Sequence, residues 1–119
     1  MIKLIKEFFK HRELILTIEH AREYYHPHGF VAYDGGDYAY KCNDQWSLIS
    51  NDQLSFKSLH KPIAMERHVY IYQTKNLKWT LVINGKIVIE NADEVWRNQP
   101  GIYIYEIDNK EYTVKKTNT

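Results

Sequence analysis

Cysteine is almost absent from this chain, since Cys42 is the only one in 119 residues. No disulfide can therefore form within the chain, and such cysteine usage is typical of the reducing interior of a cell. No apolar run approaches the roughly 20 residues that a membrane-spanning helix needs. Charged side chains at Lys3, Lys6, Glu7 and Lys10 interrupt the N-terminal apolar residues, which argues against a signal-peptide core. We expect a cytoplasmic protein that does not bind a membrane.

An excess of charge of either sign is missing as well. The formal net charge is +1 with neutral histidines, whereas nucleic-acid-binding domains usually carry a basic excess, so nucleic acid is a disfavoured partner. Glycine and proline are scarce, with five and three copies, and no Gly/Ser-rich linker divides the chain. With 44% hydrophobic and 26% charged residues, residues 1–119 are expected to fold as a single globular domain.

Tyrosine, in contrast, is abundant, with ten copies. Three segments read Tyr-x-Tyr, and their first tyrosines, at positions 38, 70 and 103, lie 32 and 33 residues apart. Tyrosine recurring at a period of two is typical of β-strands. The last two units are the most alike, because Val69–Gln73 and Ile102–Glu106 share the pattern aliphatic, Tyr, Ile, Tyr, polar. Three such units predict a sheet built from similar hairpins.

The turns between these strands can also be read from the sequence. Asn84-Gly85 separates two apolar runs and supplies the two positive-φ positions of a type I′ turn, which predicts a hairpin over residues 78–90. A last hairpin is predicted over residues 102–115, and the Asp-Gly-Gly-Asp of residues 34–37 predicts another turn.

Helices are expected at two places. Within residues 2–25 apolar side chains recur at helical spacing, although residues 14–18 also suit a strand, and Pro27 ends any helix before it. A short helix is predicted over residues 92–97 from the Asn-x-x-Glu spacing of a capping box. Together these elements predict an α+β fold. In it, a helical segment (1–25) packs on a strongly twisted antiparallel sheet or small open barrel built from hairpins (29–116).

The tyrosines are the main candidates for a binding surface. If the aliphatic residues at 69, 71, 102 and 104 face the core, the period of two places the tyrosines between them on the opposite face. Tyrosine is enriched at interfaces because it offers a flat apolar ring and a hydroxyl at low entropic cost. A purely structural explanation also fits, in which the helical segment covers this face or tyrosine pairs stabilise the sheet. The candidate partner-binding residues are Tyr70, Tyr72, Tyr103, Tyr105 and Trp96.

Histidine chemistry is the main enzymatic alternative. The chain has six histidines, and a metal-independent ribonuclease needs a general base, a general acid and a cation at the phosphate. Their spacing selects no pair. A metal site within residues 20–28 matches no strong zinc pattern, so no metal and no cofactor is expected. The residues that supply the types a ribonuclease needs are His26, His28, His60, His68, Lys61 and Arg67.

The absence of catalytic signatures, together with rigid aromatic strands, favours a non-enzymatic role. We expect a small intracellular protein-binding module that acts by occluding a protein partner, of the inhibitor or toxin-immunity type. The alternatives are the histidine-dependent ribonuclease and a single-strand nucleic-acid binder that stacks tyrosines on bases.

Overall fold

One short helix opens the part of the chain that the computed structural model describes, residues 17–117. Helix α1 spans Ile18–Tyr25, and the side-chain oxygen of Thr17 caps it by accepting a hydrogen bond from the N–H of His20 at 3.3 Å. The helix ends before Pro27, as predicted. The helical residues predicted before Thr17 lie outside the described residues. Within residues 17–117 no helix is long and apolar enough to cross a membrane.

Antiparallel strands form the rest of the described chain, in three sheets whose neighbouring strands are consecutive in sequence. The first sheet contains β1 Phe30–Ala32, β2 Tyr38–Cys42, β3 Gln45–Ile49 and β4 Ser55–Ser58. The second sheet contains β5 Ile63–Glu66, β6 Val69–Gln73, β7 Trp79–Ile83 and β8 Lys86–Ala92. The third sheet contains β9 Glu94–Gln99, β10 Ile102–Ile107 and β11 Lys110–Lys115. The α+β class and the hairpin construction are therefore confirmed.

Three of the hairpins turn through a pair of residues with positive φ. The pairs are Asn43–Asp44, Asn84–Gly85 and Asp108–Asn109, and all six residues have positive φ. A type I′ turn requires this conformation at both central positions, and Asn, Asp and Gly adopt it most easily. The predicted hairpin at Asn84–Gly85 and the predicted last hairpin are both present.

The helix packs on one face of the first sheet, and the other face of that sheet covers the second sheet. The cluster under the helix consists of Ala21, Tyr25, Tyr38, Tyr40 and Ile49. Within it the rings of Tyr25 and Tyr40 stack with their centroids 3.9 Å apart. The cluster between the first two sheets consists of Ala39, Leu48 and Tyr70.

The central strands of the second sheet, β6 and β7, are buried on both faces. The side of this sheet away from the first sheet packs on the third sheet, through a cluster of Val69, Ile71, Leu81, Ile83 and Tyr103. Strands β6 and β7 therefore contain runs of buried residues and show no alternation between buried and exposed positions. Helix and sheets follow one another as four layers, and the longest dimension of the described molecule is 51 Å.

The strands divide into three antiparallel sheets, a division that the sequence does not predict. One sequence prediction is wrong. The helix predicted over residues 92–97 is strand β9, which pairs with β10 along most of its length. Asn91, near the end of β8, has a φ of 61°, so it bends the chain and does not cap a helix. Pairing with a neighbouring strand has overridden the local helical signal.

Candidate functional site

The structure buries three of the four candidate tyrosines. Tyr70, Tyr72 and Tyr103 are 3%, 4% and 0% exposed. Tyr70 packs towards the first sheet, while Tyr103 lies on the third sheet and packs on the second. The predicted shared and exposed tyrosine face is therefore wrong. Tyr105 is partly exposed, and its ring stacks on Tyr112 with a centroid distance of 5.2 Å.

Tyr103 faces the second sheet, where its hydroxyl contacts a carboxylate. It donates a hydrogen bond to Oε1 of Glu66, which also accepts the N–H of Gly101 at 2.7 Å. The ammonium of Lys116 lies 3.6 Å from the other oxygen of Glu66. Burial acts to raise the pKa of Glu66, but the two hydrogen bonds and the cations Lys116 and Arg97 outweigh it and hold that pKa below its usual value. The contact joins the second and third sheets.

The side of the third sheet that faces away from the second sheet carries a row of apolar residues. Val95 and Val114 pack on the second sheet, so the alternation along the strands turns Trp96 to the opposite side. Trp96 pairs with Ile104, and Ile104 pairs with Thr113. We call this side the outer face. None of the three core clusters in the described residues includes Trp96 or Ile104.

Beside the apolar row, the outer face carries three glutamates in register. Glu106 lies directly opposite Glu94 on one neighbouring strand and opposite Glu111 on the other. Like charges in directly opposed positions destabilise a sheet. No ion pair within residues 17–117 compensates any of the three. The outer face therefore combines an indole, an aliphatic side chain and an uncompensated acidic row.

A second site lies between the first and second sheets, where a buried carboxylate meets a histidine. Asp37, which precedes β2, is 1% exposed. Its Oδ1 accepts the N–H of Asn51 at 2.9 Å, and its Oδ2 accepts the hydroxyl of Tyr70 at 2.5 Å. Nδ1 of His68 lies 2.8 Å from the same Oδ2. In the tautomer that carries a proton on Nδ1, His68 donates a third hydrogen bond to Asp37.

The tyrosines of this site remain protonated. Burial, followed by the hydrogen bond to Asp37 and its charge, raises the pKa of Tyr70 far above its ordinary value. Burial raises the pKa of Tyr33 to about 12, and its ring lies 4.8 Å from that of Tyr70. Tyr70 therefore donates to Asp37 over the whole physiological range of pH.

Gly35 leaves room for the imidazole. Its φ is +86°, and a Cβ at this position would lie 2.4 Å from Cε1 and 2.7 Å from Nε2 of His68. No side chain fits there without moving the ring. His68 itself has a φ of 63°, a conformation that is uncommon for residues other than glycine and asparagine.

The histidine lines a cleft of about 330 Å³ that opens between the two sheets. Leu48, Phe56 and Val82 form its apolar walls. Its rim is formed by residues 50–52 of the first sheet's β3–β4 connection and by residues 84–86 of the β7–β8 turn. A cleft of this size and mixed character suits a small ligand or a single unit of a larger one.

Of the histidines within residues 17–117, His68 is the one that the structure pairs with a carboxylate. The sequence predicts His68 only as one of several candidate histidines. It does not predict Asp37 as its partner, because Asp37 is read there as part of a turn. No group of three or more His, Cys, Asp or Glu side chains in the described residues is arranged to hold a metal ion. His20, Glu23, His26 and His28 are thus not gathered into one site.

Comparison of the chain with protein-family models, with curated proteins and with solved structures finds no match in any of the three.

Proposed function

We propose that the protein is a small binding module that occludes a protein partner, in the manner of an inhibitor or an immunity protein, and that the outer face is its contact surface. The single observation that carries the proposal is the row of Glu94, Glu106 and Glu111, aligned without compensation beside Trp96 and Ile104.

The acidic row favours a partner of a particular kind. Like charges held directly opposite one another lower the stability of the free protein, and proteins retain such costs where function uses them. A partner surface that brings lysines or arginines to this row would relieve the repulsion and gain electrostatic complementarity. The proposed partner is therefore a protein with a basic surface.

The apolar row supplies the centre of the proposed contact. Tryptophan is the side chain most enriched among residues that dominate binding energy, and such residues act best when neighbouring groups exclude water around them. Trp96 beside Ile104 on a rigid strand fits this arrangement. Tyr105 pairs with Val95 and so lies on the opposite side of the third sheet, and Tyr103 on that side packs on the second sheet.

A pull-down with matched charge reversals tests the proposal. Tagged wild-type protein, Trp96→Ala, Glu106→Lys and the control Glu19→Lys would each be incubated with lysate of the source cell. Glu19 is exposed on α1, at the other end of the stack. We expect one basic protein in stoichiometric amount with the wild type and Glu19→Lys, and its loss with both outer-face variants.

Recovery of the same protein by the wild type and by all three variants would show that the outer face is not the contact surface. Recovery of an acidic protein, or of no protein by the wild type, would contradict the proposal itself. Purified partner would then be titrated in rising salt, where affinity for a basic partner is expected to fall because exposed charges are screened.

A further inference from the structure

We propose that the cleft between the first and second sheets is an acid–base site for a ribonucleotide chain, with His68 as its general base. This proposal does not depend on partner binding, since the outer face lies on the third sheet. It rests on the geometry of the imidazole, the lining of the cleft and the charges at its rim.

Only one nitrogen of the His68 imidazole, Nε2, has no partner among the described residues. Nδ1 lies 2.8 Å from Oδ2 of Asp37, and in the tautomer that donates from Nδ1 to this oxygen the lone pair is on Nε2. No protein group within residues 17–117 hydrogen-bonds to Nε2. A carboxylate that fixes the tautomer and stabilises the imidazolium is the usual means of making histidine an effective base.

Burying the carboxyl group of Asp37 beside His68 costs free energy of desolvation. Asp37 is fully desolvated and satisfied by three donors, and His68 adopts a left-handed backbone conformation. The Cε1 and Nε2 edge of the ring packs against Gly35, and Nε of Arg67 lies beside the same position. An apolar contact would be enough to hold the two sheets together, without a buried carboxylate or a histidine paired with it.

The side chains that line the cleft indicate the class of ligand. The half-buried ring of Phe56 lines the cleft, and an aromatic wall can stack on a nucleic-acid base. The side-chain amides of Asn51 and Asn84 stand at the rim and can hydrogen-bond to base edges. Lys86 and Asp52 both line the rim, and neither forms an ion pair within the described residues. Of these two groups the ammonium of Lys86 is the one that can contact a phosphate.

The chemistry that these groups support is transesterification of RNA. Nε2 of His68 takes the proton of a ribose 2′-hydroxyl while the 2′-oxygen bonds to phosphorus. The bond from phosphorus to the 5′-oxygen breaks, and this oxygen takes a proton from the ammonium of Lys86, whose charge also stabilises the phosphorane. The products are a 2′,3′-cyclic phosphate and a 5′-hydroxyl, and exchange of protons with water restores His68 and Lys86.

His68→Asn is the decisive variant. Asparagine tolerates a positive φ, and its amide N–H₂ replaces the Nδ1 donor to Asp37, but it has no counterpart of Nε2. The matched control is His60→Asn, since His60 is exposed and does not line the cleft. Both proteins would be purified in the same way and compared with the wild type by circular dichroism and urea unfolding.

The assay uses an end-labelled RNA of mixed sequence and a DNA of the same sequence, with a chelator present. We expect the wild type and His60→Asn to cleave RNA to fragments ending in a 2′,3′-cyclic phosphate and to leave DNA intact. His68→Asn should be slower by about 100-fold or more. Intact RNA with the wild type, or equal cleavage by His68→Asn, would overturn the proposal. The RNA assay contains no protein partner, so its outcome is independent of that of the partner-binding experiment.

Discussion

The hydroxyl of Tyr70 lies 2.5 Å from Oδ2 of Asp37 and donates a hydrogen bond to it. Tyr70 belongs to β6 of the second sheet, and Asp37 immediately precedes β2 of the first. The bond therefore crosses between two sheets and satisfies a buried carboxylate, and the ring that donates it is itself part of the core between them.

Removing this hydroxyl should cost stability. Tyr70→Phe keeps the ring but leaves Asp37 with one donor fewer, and a hydrogen bond to a charged group contributes about 1.5–3 kcal/mol. We expect a decrease of that size in the free energy of unfolding, measured by urea titration. Tyr24→Phe is the control, because Tyr24 is 66% exposed, and it should change stability little. Equal stability of Tyr70→Phe and wild type would show that water replaces the lost donor.

Gly35 and Gly101 offer a matched pair of substitutions. Both have a similar positive φ, +86° and +79°, but a Cβ meets His68 at position 35 and nothing within 4 Å at position 101. Gly101→Ala should cost about 1–2 kcal/mol, from the backbone conformation alone. Gly35→Ala should cost more, because the ring of His68 must leave Asp37. The histidine Cε1–H resonance, followed by NMR, should shift only in Gly35→Ala, and equal costs would contradict the contact.

The stability of the protein should depend on Glu66 in acid. The folded-state pKa of this carboxyl lies below its ordinary value of 4.5, so its contribution to stability is fully present above the unfolded pKa. That contribution is lost as pH falls through the lower, folded pKa. Glu66→Gln should thus be less stable than wild type at neutral pH, and the difference should narrow as pH falls below 4.5. Urea midpoints across this range measure both effects, and a constant difference would contradict the linkage. Asp93, whose pKa is also lowered, chiefly by its hydrogen bond to Lys78, supplies part of the remaining acid sensitivity.

Glu106→Lys should stabilise the free protein while abolishing the proposed binding. The new ammonium would lie opposite both Glu94 and Glu111, and replacing two repulsive cross-strand pairs by attractive ones contributes about 1 kcal/mol in all. The midpoint of thermal unfolding should rise by a few degrees, while Glu19→Lys should not raise it. A fall in the midpoint would show that the three carboxylates do not repel one another.

Local sequence predicts the turns and helix ends that depend on a few neighbouring residues. Asn84–Gly85 predicted its turn because the required positive φ is a property of those two residues. Pro27 limited α1 for a similar reason. Residues 92–97 show the opposite case. Their capping spacing is a weak preference, and the ladder between β9 and β10 outweighs it.

The candidate sites could be predicted only in part. Trp96 was named as a contact residue and lies on the outer face, whereas the glutamate row depends on the register of three strands. His68 was one of several equivalent histidines until Asp37, which lies 31 residues away along the chain, was placed beside it. No spacing rule connects positions that meet only because two separate sheets pack together.

The sequence by itself determined the class of the fold, the type I′ turn at Asn84–Gly85 and the strand character of the tyrosine segments, because each follows from residues close together in the chain. The tertiary structure alone decided that the strands divide into three stacked sheets and that Tyr70 and Tyr103 are buried on different ones. A period of two shows that a strand has two faces, but not which of them is covered. Here β6 and β7 are covered on both faces, since the second sheet lies between the first and the third.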